Sequence, residues 1–175
     1  MSFASFALAA AVAFPTTGVV PVVHGNVHDF DFEFGAWKAQ VRLREPLSIS
    51  DRWVILTGTS TVTPFWKGRS NFGVLEVGNA HLHIQGLTLR LYHPRERVWY
   101  INFANSKIGD LGTAMIGGFN GGIGTFYDRE TYDGKPVMVR FIFSDITRTH
   151  FQLVQSFSAD GGARWIPNWI ARFTR

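Results

Sequence analysis

Cysteine is absent from this chain of 175 residues, so a disulfide framework, a thiol nucleophile and a thiolate metal site are all excluded. Charged side chains are also scarce, since Asp, Glu, Lys and Arg together make up only 17% of the residues. The net charge is +4, but the sequence has no basic run and no alternation of basic with aromatic residues. Nucleic acid is therefore not expected as a partner.

The sequence also lacks an apolar run long enough to span a bilayer, so no membrane span is predicted. The apolar stretch from Phe3 to Phe14 has the length of the central part of a signal peptide. However, no Lys or Arg precedes Lys38, and no clear A-x-A cleavage site follows. Residues 1–28 are therefore interpreted as either a signal-like leader or an apolar arm that packs on the domain, and both export and a cytoplasmic location stay open.

Helical periodicity is missing after position 38, so the crossover helices that a parallel sheet requires are absent. The chain instead contains about ten short segments in which apolar residues alternate with polar ones, separated by turns rich in Gly, Asn and Asp. This pattern predicts an all-β domain over residues 29–175, with antiparallel strands connected in sequence. Closing them into an up-and-down barrel removes the exposed edges and leaves an interior with room for a small ligand.

The stretch HDFDFEFGAWK, residues 28–38, connects the apolar segment to the first strand. Its aromatic residues keep a period of two as far as Phe34, but Trp37 breaks that period. The break predicts a short helical turn before the strand, with Asp29 as its cap and Phe30 and Phe34 on its buried side. Gly35 is the predicted hinge into the strand.

Gly35-Ala36-Trp37 at the head of this strand resembles the G-x-W signature of lipocalins and their calycin relatives. In that superfamily the Trp lies across the closed end of the barrel, often beneath an Arg of the last strand, which implies Arg172 as the partner of Trp37. Residues 29–175 are also similar to a family of uncharacterised bacterial lipocalin-like proteins. Four segments carry this similarity: DFDFEFGAWK, GLTLRLYHP, GTFYDRETYDGKPVMVRF and QSFSADGGARWIPNWIARFTR. The resemblance implies a fold and no particular activity.

Several polar residues lie within strands that are otherwise strongly apolar, and some of them are expected to face the interior. They are Asn102, Asn105, Tyr127, Glu130, Arg140, Asp145 and Asn168. If Arg140 points inward, it needs an anion there, either Glu130 or an acidic group of the ligand. If it points outward, it is an ordinary solvated side chain.

The first functional hypothesis is a barrel that binds a small, mostly apolar molecule. The predicted ligand-binding residues are Trp37, Asn102, Asn105, Tyr127, Arg140 and Asn168. The alternative is an enzyme of the isomerase, cyclase or decarboxylase type, in which Tyr127, Glu130 and Arg140 supply proton transfer and charge stabilisation. An acid and a base that converge inside the cavity would favour the enzyme.

Metal or haem binding is the third functional hypothesis. His81 and His83 have the spacing of two ligands on one strand, with His150 as a third. The acidic residue of a cupin-type site is missing, since Gln85 and Gly86 follow the pair. His150 is also the candidate for an axial haem ligand, but no other feature marks haem. The sequence therefore predicts neither a metal site nor a cofactor.

Two predicted strands, Val137 to Ile146 and Trp99 to Phe103, are apolar on both faces. Only one face of each strand can line the cavity, so the other has to be covered from outside. The cover is either the apolar N-terminal segment or a second subunit, and the sequence favours a homodimer.

Overall fold

The computed structural model describes residues 22–175, which form a closed antiparallel barrel. Its ten strands are β1 Gly35–Leu43, β2 Val54–Phe65, β3 Ser70–Gly78, β4 His83–His93, β5 Val98–Asn105, β6 Met115–Asn120, β7 Ile123–Tyr132, β8 Lys135–Ser144, β9 His150–Ser158 and β10 Ile166–Thr174. One-turn 3₁₀ helices at Asp31–Glu33 and Trp66–Gly68 precede β1 and β3. The all-β barrel with a helical turn before its first strand is thus confirmed. No helix within residues 22–175 has the length and apolar character needed to cross a membrane.

Each strand pairs with the next along the chain, and β10 returns to pair with β1, where Leu43 lies opposite Trp169. The weakest seam is between β5 and β6, which pair over only three positions, Trp99 to Ile101. The connection between β5 and β6 contacts β5 again, because the Gly112 amide donates to the Phe103 carbonyl over 2.9 Å. The barrel therefore has a pocket beneath this connection as well as its central cavity.

The closed end is filled by aromatic side chains around Phe30, which is fully buried. Its ring meets those of Trp99 and Phe119 edge to face, each at 5.0 Å between centroids. The sequence predicted Phe30 and Phe34 as the buried side of the helical turn, but the buried pair is Phe30 and Glu33. The reason is the 3₁₀ geometry, because three residues per turn place positions i and i+3 on the same side.

The predicted cap of that turn is also wrong. Phe30 occupies the cap position, and no side chain caps the helix. Asp29 instead accepts a hydrogen bond from the backbone N–H of Asn26 over 2.5 Å, so it stabilises the chain before the helix. Gly35 has a φ of +101°, which agrees with its predicted role as a hinge.

Trp37 closes the bottom of the barrel beneath an arginine, but that arginine is Arg175 and not Arg172. The Arg175 guanidinium carbon lies 4.0 Å from the centroid of the Trp37 ring, and its Nη1 donates to the Phe34 carbonyl over 3.0 Å. Arg172 is exposed and contacts Gln152 on the outside of the barrel. Trp37 faces inward on β1, whereas Arg175 lies just beyond the end of β10, where it can fold under the barrel.

The described part of the N-terminal segment, residues 22–28, packs against the closed end. The Gly25 amide donates to the Arg97 carbonyl over 2.6 Å, and the Trp99 indole donates to the Asn26 carbonyl over 2.9 Å. Gly118 allows this contact, since a Cβ atom there would lie 2.6 Å from the Gly25 nitrogen. The choice between a leader and a packing arm concerns mainly residues 1–21, which lie outside the described residues.

The outer face of β8, which was expected to need a cover, is covered in part by the connection between β9 and β10. Trp165 of this connection lies over Arg140, with the guanidinium carbon 4.3 Å from its ring centroid. Gly162 of the same connection lies next to Met138 of β8, and Met138 is buried. The apolar character of both faces of β8 therefore has an explanation within one chain.

Candidate functional site

The interior of the barrel holds a cavity of about 290 Å³. Most of its wall is apolar, formed by Leu43, Val62, Leu75, Ile101, Phe103, Phe141, Phe143, Leu153, Trp169 and Phe173. Gly73 of β3 also faces the cavity and leaves space where any other residue would add a side chain. The residues that line it come from every strand except β6 and β7, so the cavity is a property of the closed fold.

The floor of the cavity is polar, in contrast to its wall. Arg90 of β4 and Glu33 of the first 3₁₀ turn both line the cavity, and they are only 4% and 3% exposed. Nη2 of Arg90 donates to Oε1 of Glu33 over 2.9 Å, and Nη1 donates to Oδ1 of Asn71 over 2.8 Å. The guanidinium carbon also lies 4.7 Å from the centroid of the Phe30 ring. A charged pair is thus held rigidly at the bottom of an apolar chamber.

Two atoms of this pair have no hydrogen-bond partner among the described residues, namely Oε2 of Glu33 and Nε of Arg90. Buried polar atoms are normally satisfied, so such atoms next to a cavity indicate a place for water or a ligand. Burial raises the pKa of the Glu33 carboxyl, and the nearby Arg90 guanidinium opposes part of that rise.

A second polar group lies higher in the cavity, where Nε2 of Gln155 donates to Oδ1 of Asn168 over 3.1 Å. Asn168 faces inward because of a β-bulge. The pairing of β10 with β9 shifts register between Pro167 and Trp169, which leaves Asn168 without an opposite residue. Asn168 and Trp169, although adjacent in sequence, therefore both line the cavity.

A neighbouring pocket of about 210 Å³ lies beneath the connection between β5 and β6. Its wall includes Phe141 and Gln155, which also line the central cavity, and its polar lining includes Glu130, Asp110 and Asn105. Asp128 is on the same inner face of β7 as Glu130 and is 8% exposed. Burial raises the pKa of Asp128 from 3.8 to about 7, and the adjacent Glu130 carboxyl adds to the rise. The Asp128 carboxyl therefore keeps its proton to a higher pH than an ordinary aspartate does.

The residues predicted to bind a ligand lie in four different places in the structure. Asn168 lines the central cavity, and Asn105 lines the neighbouring pocket, where its Oδ1 accepts from the Lys107 and Ile108 amides. Trp37 lies below the cavity, and its indole N–H donates to the Glu33 carbonyl over 2.7 Å. Asn102 follows the inward Ile101 on β5, so it faces outward, and it donates to the Gly112 carbonyl.

Two of the three predicted catalytic residues lie on the outer face of the barrel. Tyr127 of β7 lies opposite Arg140 of β8. The ring of Tyr127 and the guanidinium group of Arg140 both contact the ring of Trp165. Glu130 alternates with them and faces inward. The three side chains therefore do not converge. Asp145, also singled out in the sequence, is exposed in the turn after β8.

The histidines considered for metal or haem binding lie apart. His81 is in the turn before β4, and Nε2 of His83 lies 3.2 Å from Oε1 of Glu76 on the surface. His150 is exposed at the closed end, with its Nδ1 2.9 Å from Oγ1 of Thr147. Within residues 22–175, no group of three or more His, Cys, Asp or Glu side chains could hold a metal ion.

Sequence reasoning missed Glu33, Arg90 and Asp128. For Glu33 the signal was its spacing of three from Phe30, which a 3₁₀ turn converts into a shared inward side. For Arg90 the pattern was misleading, because the leucines that alternate with it face outward and Leu87 is 43% exposed. The partners of Arg90, Glu33 at 57 positions away and Asn71 at 19, explain why the arginine is inside.

No protein-family model matches the sequence. No curated protein matches it either. Among solved structures, that of EF1p2_mFAP2b bound to DFHBI is similar with a TM-score of 0.47 and 9% identity, over 85% of this chain and 98% of that chain. A likeness at this level says nothing about the ligand of this chain. The lipocalin-like resemblance therefore stays a prediction, while the closed barrel stands on the structure.

Proposed function

We propose that this barrel binds one small, mostly apolar molecule in its central cavity. The observation that carries the proposal is an apolar chamber of about 290 Å³ with a fixed, incompletely satisfied polar pair at its floor. Ligand sites are typically apolar pockets in which a few placed polar groups fix the orientation of the ligand. The Glu33–Arg90 pair would orient one end of the molecule and the apolar wall would hold the rest.

The volume limits the size of the ligand. An apolar cavity of roughly 150 Å³ is enough to bind benzene. The cavity here is about 290 Å³, so it suits a molecule with about two rings or a chain of similar bulk. A further pocket of about 270 Å³, which shares Leu43, Phe103 and Trp169 with the cavity, offers a route from the open end.

Gly73→Leu tests the proposal by filling the cavity, and its Cβ atom would lie 3.8 Å from Nη1 of Arg90, an ordinary contact with the floor. A Cβ atom at Gly73 would meet Thr88 and Val62 at 3.6 Å, an ordinary contact, so the fold should accept a side chain there. Val74→Leu is the matched control, because Val74 is the next residue of β3 and is 43% exposed on the outside. The measurement is native mass spectrometry of each protein purified from its own host.

We expect a non-covalent adduct on the wild-type protein and on Val74→Leu, and none on Gly73→Leu. An adduct that survives in Gly73→Leu would place the ligand elsewhere. If the wild-type protein carries no adduct and takes up no two-ring apolar probe, the binding function is contradicted.

An enzymatic function on the same barrel is the second candidate, and Asp128 and Glu130 favour it. A carboxyl group with a pKa of about 7 can both accept and donate a proton near neutral pH. Asp128 is adjacent on the inner face to Glu130, whose pocket opens toward the central cavity. These two residues, in place of the predicted set of Tyr127, Glu130 and Arg140, would carry the proton transfer.

The enzymatic candidate is tested with the ligand that mass spectrometry identifies. The ligand is incubated with the protein in D₂O, and NMR measures the incorporation of deuterium at its carbon atoms. The wild-type protein should introduce deuterium, and Asp128→Asn should abolish this exchange. Arg140→Gln is the control, because Arg140 lies on the outer face and should leave the exchange unchanged. If the ligand binds but none of its carbon-bound hydrogen exchanges for deuterium, the enzymatic function is contradicted and the binding function stands.

A homodimer is a separate proposal, which rests on the exposed apolar side chains of β3 and β4, since β8 is covered in part within one chain. Val74 and Leu87 lie opposite each other on the outer faces of β3 and β4, and each is 43% exposed. Light scattering at increasing concentration should show a dimer that Leu87→Glu dissociates. A monomer at every concentration would contradict it.

A further inference from the structure

Two of the open hydrogen-bonding positions at the cavity floor belong to a single contact, the Glu33–Arg90 ion pair. Arg90 uses Nη1 for Asn71 and Nη2 for Glu33, and one face of its guanidinium for Phe30. The guanidinium is planar with its N–H groups in fixed directions, and Nε–H points to the same side as one Nη2–H. A carboxylate can occupy both of these donors, but Glu33 occupies only Nη2. Nε of Arg90 and Oε2 of Glu33 therefore stay without a partner at the same ion pair, and Nδ2 of the adjoining Asn71 also has none among residues 22–175.

The chemistry of these positions restricts the group that can fill them. At the ion pair the open donor is Nε of Arg90 and the open acceptor is Oε2 of Glu33, and neither has a partner within residues 22–175. Both residues line the cavity and are at least nine-tenths buried, so each open atom carries a desolvation cost until a partner arrives. A hydroxyl group both donates and accepts hydrogen bonds, so it can satisfy the two atoms together.

Charge excludes the other common head groups. Glu33 and Arg90 neutralise each other, and no other charged side chain lines the central cavity among the described residues. A carboxylate ligand would approach Arg90 only by also facing the Glu33 carboxylate, and an ammonium group would face the guanidinium. Either would add an unpaired charge to a buried, neutral site.

We propose that the floor of the cavity recognises the hydroxyl group of an uncharged, otherwise apolar ligand, an alcohol or a phenol, held between Oε2 of Glu33 and Nε of Arg90. The inference rests on the proposed function and specifies its ligand. In the empty cavity a water molecule can occupy the same position. A ligand hydroxyl reproduces the hydrogen bonds of that water on displacing it, and a methyl group does not.

Four probes of the same two-ring shape separate the possibilities in calorimetric titrations at pH 7. They are 2-naphthol, 2-methylnaphthalene, 2-naphthoate and 2-(aminomethyl)naphthalene. Because hydrogen bonds to charged groups are the strong ones, 2-naphthol should bind about ten- to a hundredfold more tightly than 2-methylnaphthalene. The carboxylate and ammonium probes should bind more weakly than 2-naphthol.

Glu33→Gln tests the role of the charge directly. It keeps the size of the side chain but leaves Arg90 without its counter-charge, so 2-naphthoate should gain at least about tenfold in affinity and overtake 2-naphthol. A purely structural role for Glu33 would instead weaken all probes alike. Exposed Glu76→Gln is the matched control and should leave the ranking of the probes unchanged.

A second variant covers the case in which Glu33→Gln does not fold. Glu33→Met, Asn71→Leu and Arg90→Met together replace the whole polar group with apolar side chains, so that no member is left without its partner. Such replacements of buried ion pairs are often neutral for stability. This protein should bind 2-methylnaphthalene at least as tightly as 2-naphthol.

The outcomes distinguish this inference from the proposal beneath it. If 2-methylnaphthalene or 2-naphthoate binds the wild-type protein as tightly as 2-naphthol, the hydroxyl assignment is overturned and the binding function survives. If none of the four probes binds, or if Gly73→Leu binds them as well as the wild-type protein does, the binding function itself is overturned.

Discussion

Asp128→Asn should stabilise the protein at pH 8 and have little effect at pH 4. Asp128 is buried on the inner face of β7 beside Glu130, and its Oδ2 has no hydrogen-bond partner among the described residues. Its Oδ1 accepts from the Arg129 amide, a bond that an asparagine at this position can keep. The substitution therefore removes a buried charge without changing the shape of the side chain.

The magnitude follows from the shift in pKa. The pKa of Asp128 rises from 3.8 to about 7 because burial disfavours its charged form. The folded protein thus holds a proton that the unfolded chain has lost, and the free energy of unfolding falls as the pH rises from about 4 to about 7. Each pKa unit corresponds to about 1.4 kcal/mol. A shift of about three units therefore gives about 4 kcal/mol as an upper value.

Urea unfolding followed by tryptophan fluorescence at pH 4, 6 and 8 and constant ionic strength measures this difference. The quantity compared is the free energy of unfolding of Asp128→Asn minus that of the wild-type protein. We expect this difference to be about 2–4 kcal/mol larger at pH 8 than at pH 4. Asp133→Asn is the matched control, because Asp133 is exposed in the turn between β7 and β8 and an asparagine tolerates its φ of +51°. A difference from wild type that does not change with pH would refute the reasoning.

Two further substitutions test how the closed end is held. Arg175→Ala should lower the free energy of unfolding by about 1–2 kcal/mol in urea titrations, because it removes the contact with Trp37 and a backbone hydrogen bond. Arg172→Ala should change it by less than about 0.5 kcal/mol, and equal effects would contradict the assignment of Arg175. Gly118→Ala should displace residues 23–25, so that hydrogen exchange at the Gly25 amide accelerates at least about tenfold; unchanged exchange would mean that this segment packs elsewhere.

Strand periodicity and turn composition were sufficient to predict the fold. Apolar and polar residues alternate along β1 with little ambiguity, and turns such as Asp133-Gly134 lie where the structure has them. The absence of helical segments then left sequential antiparallel pairing, and ten strands left closure as the simplest arrangement. Each of these steps depends on local patterns, which a single sequence contains.

The site depends instead on which face of each strand points inward, and local patterns do not decide that for strands of mixed character. On β4 the leucines face outward and Arg90 faces inward, because a carboxylate from the helical turn is there to pair with it. On β8 the opposite holds: Arg140 faces outward because Trp165 covers it. Both arginines alternate with apolar residues in the sequence, so only their distant partners distinguish them.

The G-x-W signature acquires a second role in this arrangement. Trp37 plugs the barrel, and its indole N–H also holds the carbonyl of Glu33 at 2.7 Å. Arg175 holds the carbonyls of Phe34 and Phe32 at 3.0 and 3.4 Å, on either side of the same residue. The backbone around Glu33 is therefore fixed by Trp37 of β1 and by Arg175, which follows β10. Since Glu33 supplies the acceptor at the cavity floor, the interactions that close the barrel also position the group that we propose contacts the ligand, and loosening them should weaken binding as well as stability.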